Sequence, residues 1–288
     1  MNIRFVITFL EIVETGNFSL AAERLGITQT AATMRIKAME EELGRRLFNR
    51  QKGRVELTAA GIQFLRHAEV MVTTWRRALQ EVGLPPGVDS ILSLGAEESL
   101  WDTLLLDVLI TFRKMHPEVA VRSEVASAQW IGREIAEGLL DFGVVYTPVV
   151  RPNVNVEVLG TQTLILVSTV PRSVMTWSPD YIYTDWGSGF RELHSSTYQD
   201  KITPTVTGNL GPRMLRYMLA FGGSGYFPFT LVRSLIEDGT LHIVRNAPRF
   251  VRNIHCLIQA GDGGGHLEEI LSLLRAAVAR SEEALAPE

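Results

Sequence analysis

One cysteine, Cys256, occurs in 288 residues. An intrachain disulfide is therefore excluded, and a reducing cytoplasm fits. In its Val/Ile/Leu-rich stretch the thiol reads as a small core residue rather than a redox centre. Long apolar runs are missing too. No segment approaches the ~20 residues a membrane span needs, so no membrane partner is expected. The N-terminal MNIRFVITFLEIVETGNF carries Glu11 and Glu14 inside its apolar stretch and has no small-residue cleavage site. It reads as a first helix, not a leader peptide. Internal repeats, low-complexity tracts and long charge runs are also absent.

Catalytic signatures are equally scarce. GGSGYF has Tyr226 where a serine-nucleophile elbow needs its second glycine. GDGGGH lacks the Lys-Ser/Thr of a phosphate loop. The six histidines, at 67, 116, 194, 242, 255 and 266, include no pair at the i, i+4 spacing of a zinc helix. An enzyme, a catalytic residue, a cofactor and a bound metal are accordingly not expected. His194 and His255 read as hydrogen-bonded structural residues, with a place in a cleft as the alternative.

What is present is ordinary globular material, 46% hydrophobic and 21% charged, enough to build cores for about two domains. The net charge of -4 is uneven. Residues 1–82 hold 12 Lys+Arg against 9 Asp+Glu, and the rest hold 16 against 23. A basic head on an acidic body suggests that the head meets an anion, although an excess of three is small enough to arise by chance. Helical periodicity stops at Val82, and Gly83, Pro85, Pro86 and Gly87 follow as a linker. Beyond it, strands at Ile91–Leu94, Val119–Val125, Asp141–Tyr146, Thr163–Ser168, Tyr181–Tyr183, Ser224–Pro228, Leu241–Val244 and His255–Gln259 are expected. They alternate with helices over Ser99–His116, Gln129–Gly138, Gly211–Ala220, Leu231–Glu237 and His266–Ala284. This rhythm implies an α/β domain around a parallel sheet.

The head is more explicit. In FSLAAERLGITQTAATMRIKAMEEELG, Ser19 can cap a helix over Leu20–Leu25 that Gly26 ends, and Thr28 can cap a second that runs to Leu43 and stops at Gly44. Two helices joined by so short a turn make a helix-turn-helix. Ala32, Ile36, Met39 and Leu43 form the stripe expected to be buried. Thr30, Met34 and Lys37 lie opposite, and Thr28, Gln29, Thr33 and Arg35 occupy the helix start or its edges. Amides, cations and a thioether near a helix N-terminus suit a major groove, where they meet adenine edges, guanine or phosphate, and the thymine methyl. A small-residue helical hairpin with a solvated face is the alternative at this point. LFNRQKGRVELT follows, with short strands at Leu47–Asn49 and Val55–Leu57 around a tip bearing Arg50, Lys52, Gly53 and Arg54. A basic two-stranded wing beside such a helix reads phosphate or the minor groove. Together they make double-stranded DNA the expected partner.

Thr58 then caps a long helix to about Val82. Leu65, Val72 and Leu79 repeat every seven residues, as do Ala68, Trp75 and Val82, which is a coiled-coil seam. Such a helix, ~37 Å long, pairs most simply with its copy in a second chain and sets two heads on a two-fold site. Packing on its own domain is the alternative.

FLEIVETGNFSLAAERLGITQTAATMRIKAMEEELGRRLFNR with VELTAAG resembles the N-terminal signature of the LysR-type transcriptional regulators along almost its full length. The later stretches GAEESLWDTLLLDVLITFRKMHPEVAV, AEGLLDFGVVYTP and FGGSGYFP resemble that family's effector domain more loosely. The resemblance implies a winged helix-turn-helix over residues 1–58, a dimerising linker helix and hinge over 59–87, and a two-lobed, periplasmic-binding-protein-like α/β effector domain over 88–288. Lobe one would comprise 88–160 plus 266–288 and lobe two 161–265, with crossovers near Gly160–Gln162 and in Gly261–His266. It also implies assembly of dimers into a tetramer and leaves RNA polymerase open as a partner. The family often has Arg where this chain has Met34, so Met34 is carried as a specificity variation.

The family's inducer lies between the lobes. Carried over to this chain, that site comprises Ser99, Leu100 and Trp101 at the first effector helix, Ser127, Gln129 and Trp130 at the next, Tyr146 and Thr147 after the third strand, and Trp186, Gly225, Tyr226 and Phe227 from lobe two. Trp101 and Trp130 either stack on an aromatic small-molecule effector or fill the cleft and leave a regulator without one. A solute-binding or sensor protein with a non-functional DNA head is the further alternative. Arg54→Ala is expected to weaken binding to all duplex sequences alike and to flatten the salt dependence by about one unit for the lost phosphate contact. An unchanged slope in a salt titration would remove Arg54 from the interface.

Overall fold

The computed structural model describes residues 2–51, 54–172, 180–198, 204–260 and 265–283. Lys52, Gly53, Trp177 and residues 261–264 lie outside them. The chain divides into two units, residues 1–85 with 137–139 and residues 86–136 with 140–288.

The first unit is set by its caps. Asn2 accepts the Arg4 N–H and starts α1 (Ile3–Thr15), which Gly16 ends at φ +63°. The sequence suggests Ser19 as the cap of α2 (Phe18–Arg24). The cap is instead Asn17, whose extended backbone lets its side chain accept from both Ser19 and Leu20 N–H. Thr28 caps α3 (Gln29–Leu43) by accepting from Ala31 N–H, and Gly44 closes it at φ +66°. The hairpin β1 (Phe48–Gln51) and β2 (Arg54–Leu57) pairs antiparallel, Phe48 opposite Leu57. Thr58 caps α4 (Ala59–Glu81) by accepting from Gly61 N–H. A side chain at Gly61 would meet the Leu47 carbonyl oxygen at 2.2 Å, so the start of α4 and the wing approach as closely as backbone allows.

Phenylalanine rings hold this head together. Phe9 lies 5.2 Å from Phe48 and 5.1 Å from Phe64, and Phe18 lies 5.7 Å from Phe48. Ala32, Ile36 and Met39 are buried in the unit, whereas Leu43, expected on the same stripe, is exposed in the last turn of α3 beyond that core. The seven-residue seam on α4 divides in the same way. Ala68 and Val72 are buried in the head and Leu65 packs against it, because the head needs that face of α4 to close its own core. Trp75, Leu79 and Val82 are exposed.

The second unit begins with β3 (Ser90–Ala96), α5 (Glu98–Leu100), a π-helical turn over Trp101–Leu105, and α6 (Leu106–Met115). β4 (Val119–Val125), α7 (Ala128–Ala136) and β5 (Phe142–Val145) follow, and β3 pairs parallel with both β4 and β5. The chain continues through β6 (Val154–Ser168), β7 (Ile182–Thr184), α8 (Ser188–Tyr198), β8 (Val206–Gly208), α9 (Arg213–Phe221) and β9 (Ser224–Pro228). It finishes with α10 (Phe229–Glu237), β10 (His242–Ile243), β11 (Phe250–Gln259) and α11 (Gly265–Glu283). The main sheet runs β10-β6-β11-β5-β3-β4, with β9 also on β6, while β7 and β8 form a separate parallel pair.

Two strands depart most from expectation. β6 starts at Val154 rather than Thr163, and β11 starts at Phe250 rather than His255. The two pair antiparallel along their lengths, a partnership distant in sequence that local pattern does not announce. They also carry the chain between two cores. Leu159 of β6 and Ile254 of β11 pack in a core with α6, β3, β5 and α11, whereas Leu164 and Phe250 lie in a second core with α9, β9 and α10. β11 thus passes between the two cores between Phe250 and Ile254, and most of the crossover expected in Gly261–His266 lies outside the described residues. By Cys256 the strand is already back in the first core.

α8 is unannounced because its Ser/Thr-rich SGFRELHSSTY has weak helical propensity and buries only Phe190 and His194. His194 belongs to the second lobe's packing, its Nε2 2.8 Å from the Tyr181 hydroxyl among the rings of Tyr183, Phe190 and Tyr198. Burial pushes its pKa down to about 4. The unfolded imidazole takes up its proton near pH 6.5 and the folded one only near 4, so the unfolded state binds more protons between these limits. Stability is expected to fall as pH drops from 6.5 to about 4, and that slope should be smaller in His194→Gln when denaturant midpoints are compared across the range.

Candidate nucleic-acid interface and interlobe cleft

α3 presents what its buried stripe leaves over. Thr28, Gln29, Thr30, Met34 and Lys37 are exposed, and Thr33 and Arg35 are half-buried. Met34 is 67% exposed, an apolar side chain with no packing role in the head. The Thr28 oxygen is committed to the cap. The Arg35 guanidinium donates to Thr8 Oγ1 at 3.1 Å, which ties it to α1. Lys37 is 3.6 Å from Glu41 one turn on, an exposed pair that a phosphate can outcompete.

Glu40 joins the helix to the wing. Its carboxylate accepts the N–H groups of Leu47 and Phe48 at 2.7 and 3.3 Å. A concave surface of about 780 Å³ lies here, lined by Thr33, Lys37, Arg45, Arg46 and Asn49 among others. Arg45 and Arg46 are exposed cations that the sequence-level candidate set omits. Their signal is the Gly-Arg-Arg step that directly follows the α3 cap. Arg50 and Arg54 lie opposite Val55 and Gln51 in the wing ladder, and Lys52 lies outside the described residues.

The second candidate site lies between the two lobes of the second unit, and an arginine occupies it. Arg252, on β11, sets its guanidinium carbon 3.4 Å from the Tyr146 ring centroid and 5.3 Å from that of Trp186. It donates to Gln162 Oε1 at 2.6 Å and 3.1 Å and to the Trp186 carbonyl at 2.8 Å. Tyr146 shares a 3.0 Å hydrogen bond with Ser99 and donates to Gln162 at 3.1 Å. Glu97 accepts the Tyr146 N–H at 2.6 Å. Burial raises the Glu97 carboxyl above its ordinary range, against the Tyr146 N–H and Arg252. Burial likewise lowers Arg252, against Tyr146 and Glu97.

Of the residues assigned to a ligand, Ser99, Tyr146 and Trp186 thus meet around Arg252. Leu100 is buried in the first core and Trp101 packs against it. Gly225, Tyr226 and Phe227 are buried because β9 pairs with β6, and Tyr226 donates to the Pro248 carbonyl within the second lobe. Ser127 and Gln129 are exposed at the start of α7, Thr147 is exposed after β5, and Trp130 packs on the α7 core. Arg252, Gln162 and Glu97 are the members that the sequence-level set lacks. Arg252 carries no local signal, because its role depends on where β11 begins.

Residues 3–62 match the family model described as a bacterial regulatory helix-turn-helix protein of the lysR family, and residues 85–171 match the LysR substrate binding domain. The chain belongs to the LysR family. As a LysR-type protein it is a DNA-binding transcriptional regulator. It is 27% identical over 277 residues to the HTH-type transcriptional regulator HdfR of Escherichia coli, covering 95% of this chain and 98% of the relative. Its fold is similar to that of ArgP from Mycobacterium tuberculosis, with a TM-score of 0.59 and 22% identity over 96% of both chains. It is also similar to Vibrio fischeri DarR, solved in complex with DNA, with a TM-score of 0.54, 18% identity and coverage of 96% and 98%. None of the described helices of this LysR-family chain is long and apolar enough to cross a membrane.

In this regulator the Arg252 cluster is a stabilising element as well as a candidate site. Arg252→Met takes the guanidinium donors away from Gln162 Oε1 and the Trp186 carbonyl and is expected to lower unfolding free energy by about 2 kcal/mol in denaturant titration. Arg213→Met breaks the exposed pair with Glu98 and should cost less than about 1 kcal/mol.

Proposed function

We propose that this LysR-family regulator works as a dimer in the cytoplasm. It lays one α3 helix from each chain in successive major grooves and rests the wings on flanking backbone. The observation that carries this is the division of α3. Ala32, Ile36 and Met39 are buried, while Gln29, Thr30, Met34 and Lys37 are exposed, and Lys37 shares a concave surface with Arg45 and Arg46. Arginines and lysine neutralise phosphates, and the polar and thioether side chains are left to meet base edges. Met34 supplies an apolar contact of the kind that favours a thymine methyl over a guanine edge.

Trp75, Leu79 and Val82 supply the seam for the second chain. All three are exposed, and Trp75 lines a concavity of about 700 Å³ with Ile3, Val70, Met71 and Ala78. A contiguous apolar face of this sort is what a helix pairing with its own copy covers. Dimers then associate through their second units into a tetramer.

The interlobe cleft serves a small-molecule effector in this proposal, and no enzymatic step is assigned to it. An effector shifts the lobes only if it binds their two arrangements with different affinity. One observation favours a second reading. Arg252 already fills the space between Tyr146 and Trp186, which suits a regulator whose cleft is closed by its own side chain.

Footprinting of the purified protein on the DNA beside its own gene tests the regulator itself, with a protected two-fold site as the expected result. Protein that ignores duplex DNA at low salt would overturn it. Trp75→Asp is expected to give monomers by light scattering and to shorten the footprint to a half-site. Dimers that persist would place the seam elsewhere.

A further inference from the structure

We propose that His116, His266 and Glu269 form a site for a divalent transition-metal ion on the first lobe, separate from both sites above. His116 follows the last turn of α6, and His266 and Glu269 stand one turn apart at the start of α11. About 150 residues separate the two contributions in sequence, which is why histidine spacing alone does not reveal them. One donor atom from each of the three residues lies within 4.8 Å of the other two. His116 Nε2 is 2.7 Å from a Glu269 carboxylate oxygen, and the two imidazole rings lie 4.6 Å apart at 65°. Donors bound to one ion at about 2.0–2.2 Å stand roughly 3–3.5 Å from each other, so side-chain rotation alone closes the set.

The surroundings fit a metal better than a simple ion pair. Glu118 lies 3.1 Å from His116 Nδ1. With a proton held at Nδ1, Nε2 can release the proton it shares with Glu269 when an ion binds, and it then offers its lone pair on the side of Glu269. A carboxylate behind a ligating histidine fixes both its tautomer and its ring orientation. Phe112 supplies an apolar wall, 4.9 Å from the His116 ring and 6.0 Å from the His266 ring. A pair between His116 and Glu269 needs neither His266 nor Glu118. Two imidazoles and one carboxylate select zinc, cobalt or nickel over calcium and magnesium, which prefer all-oxygen sets. Water completes the coordination. The ion fastens the C-terminal helix α11 to α6.

Tag-free full-length protein, stripped with chelator, is titrated with Co²⁺ alone and followed by its visible ligand-field absorption, then challenged with Zn²⁺. One saturable equivalent, displaced by Zn²⁺, is expected. His266→Ala and Glu269→Gln should each weaken it by more than the roughly 10–100-fold typical of losing an outer-shell partner, with near-UV circular dichroism unchanged. His67→Ala, in the first unit, should leave the titration as it was. No saturable absorption in the parent protein overturns the proposal. So does retention of parent-like affinity in either His266→Ala or Glu269→Gln.

Discussion

Burial of Ala32, Ile36 and Met39 is the constraint from which the rest of the head follows. A helix has two sides, and fixing one against Phe9, Phe18 and Phe48 fixes which residues the other can offer. Rotating α3 by a third of a turn would sink Thr33 and lift Ile36, a change that the packed phenylalanines oppose. Glu40 extends this control to the wing, because one carboxylate satisfies two backbone N–H groups at its foot. The spacing between helix and wing is therefore set by hydrogen bonds inside the protein before any duplex arrives, so little ordering cost falls on binding.

The second unit rests on a different device. β6 and β11 lie side by side and each passes from one hydrophobic core to the other, so the lobes share a hydrogen-bonded ladder in place of loose connections. The register shifts between Ile254 and His255, close to where the strand enters the first core. Arg252 and Gln162 sit opposite one another on that ladder and face each other in the cleft. Their position makes the cleft chemistry and the lobe connection parts of one structure. A molecule that displaces Arg252 from Tyr146 would act on the strand that holds both lobes.

How much was legible in the sequence follows from the range of each interaction. The two caps at Thr28 and Thr58, the stop at Gly44 and the burial of Ala32, Ile36 and Met39 depend on residues within a turn or two, and their pattern can be read directly. The α4 repeat could be read only in part. Heptad spacing identifies apolar positions, but whether Ala68 and Val72 face a second chain or their own head depends on how α1 packs. The cleft was hardest. Ser99, Tyr146 and Trp186 are found from the LysR resemblance, but Arg252 and Gln162 meet across 90 residues of chain. Gly225, Tyr226 and Phe227 owe their burial to a pairing just as distant, β9 on β6. A conspicuous glycine-aromatic run looks like a binding loop until β6 is known to bury it.

The lone thiol of Cys256 has a consequence of its own. It is fully buried in β11, and burial pushes its pKa well up, so at neutral pH it stays protonated. Peroxides and electrophiles attack the thiolate, and they need access to it. Its packing in the first core therefore shields Cys256 from the oxidants that reach exposed thiolates.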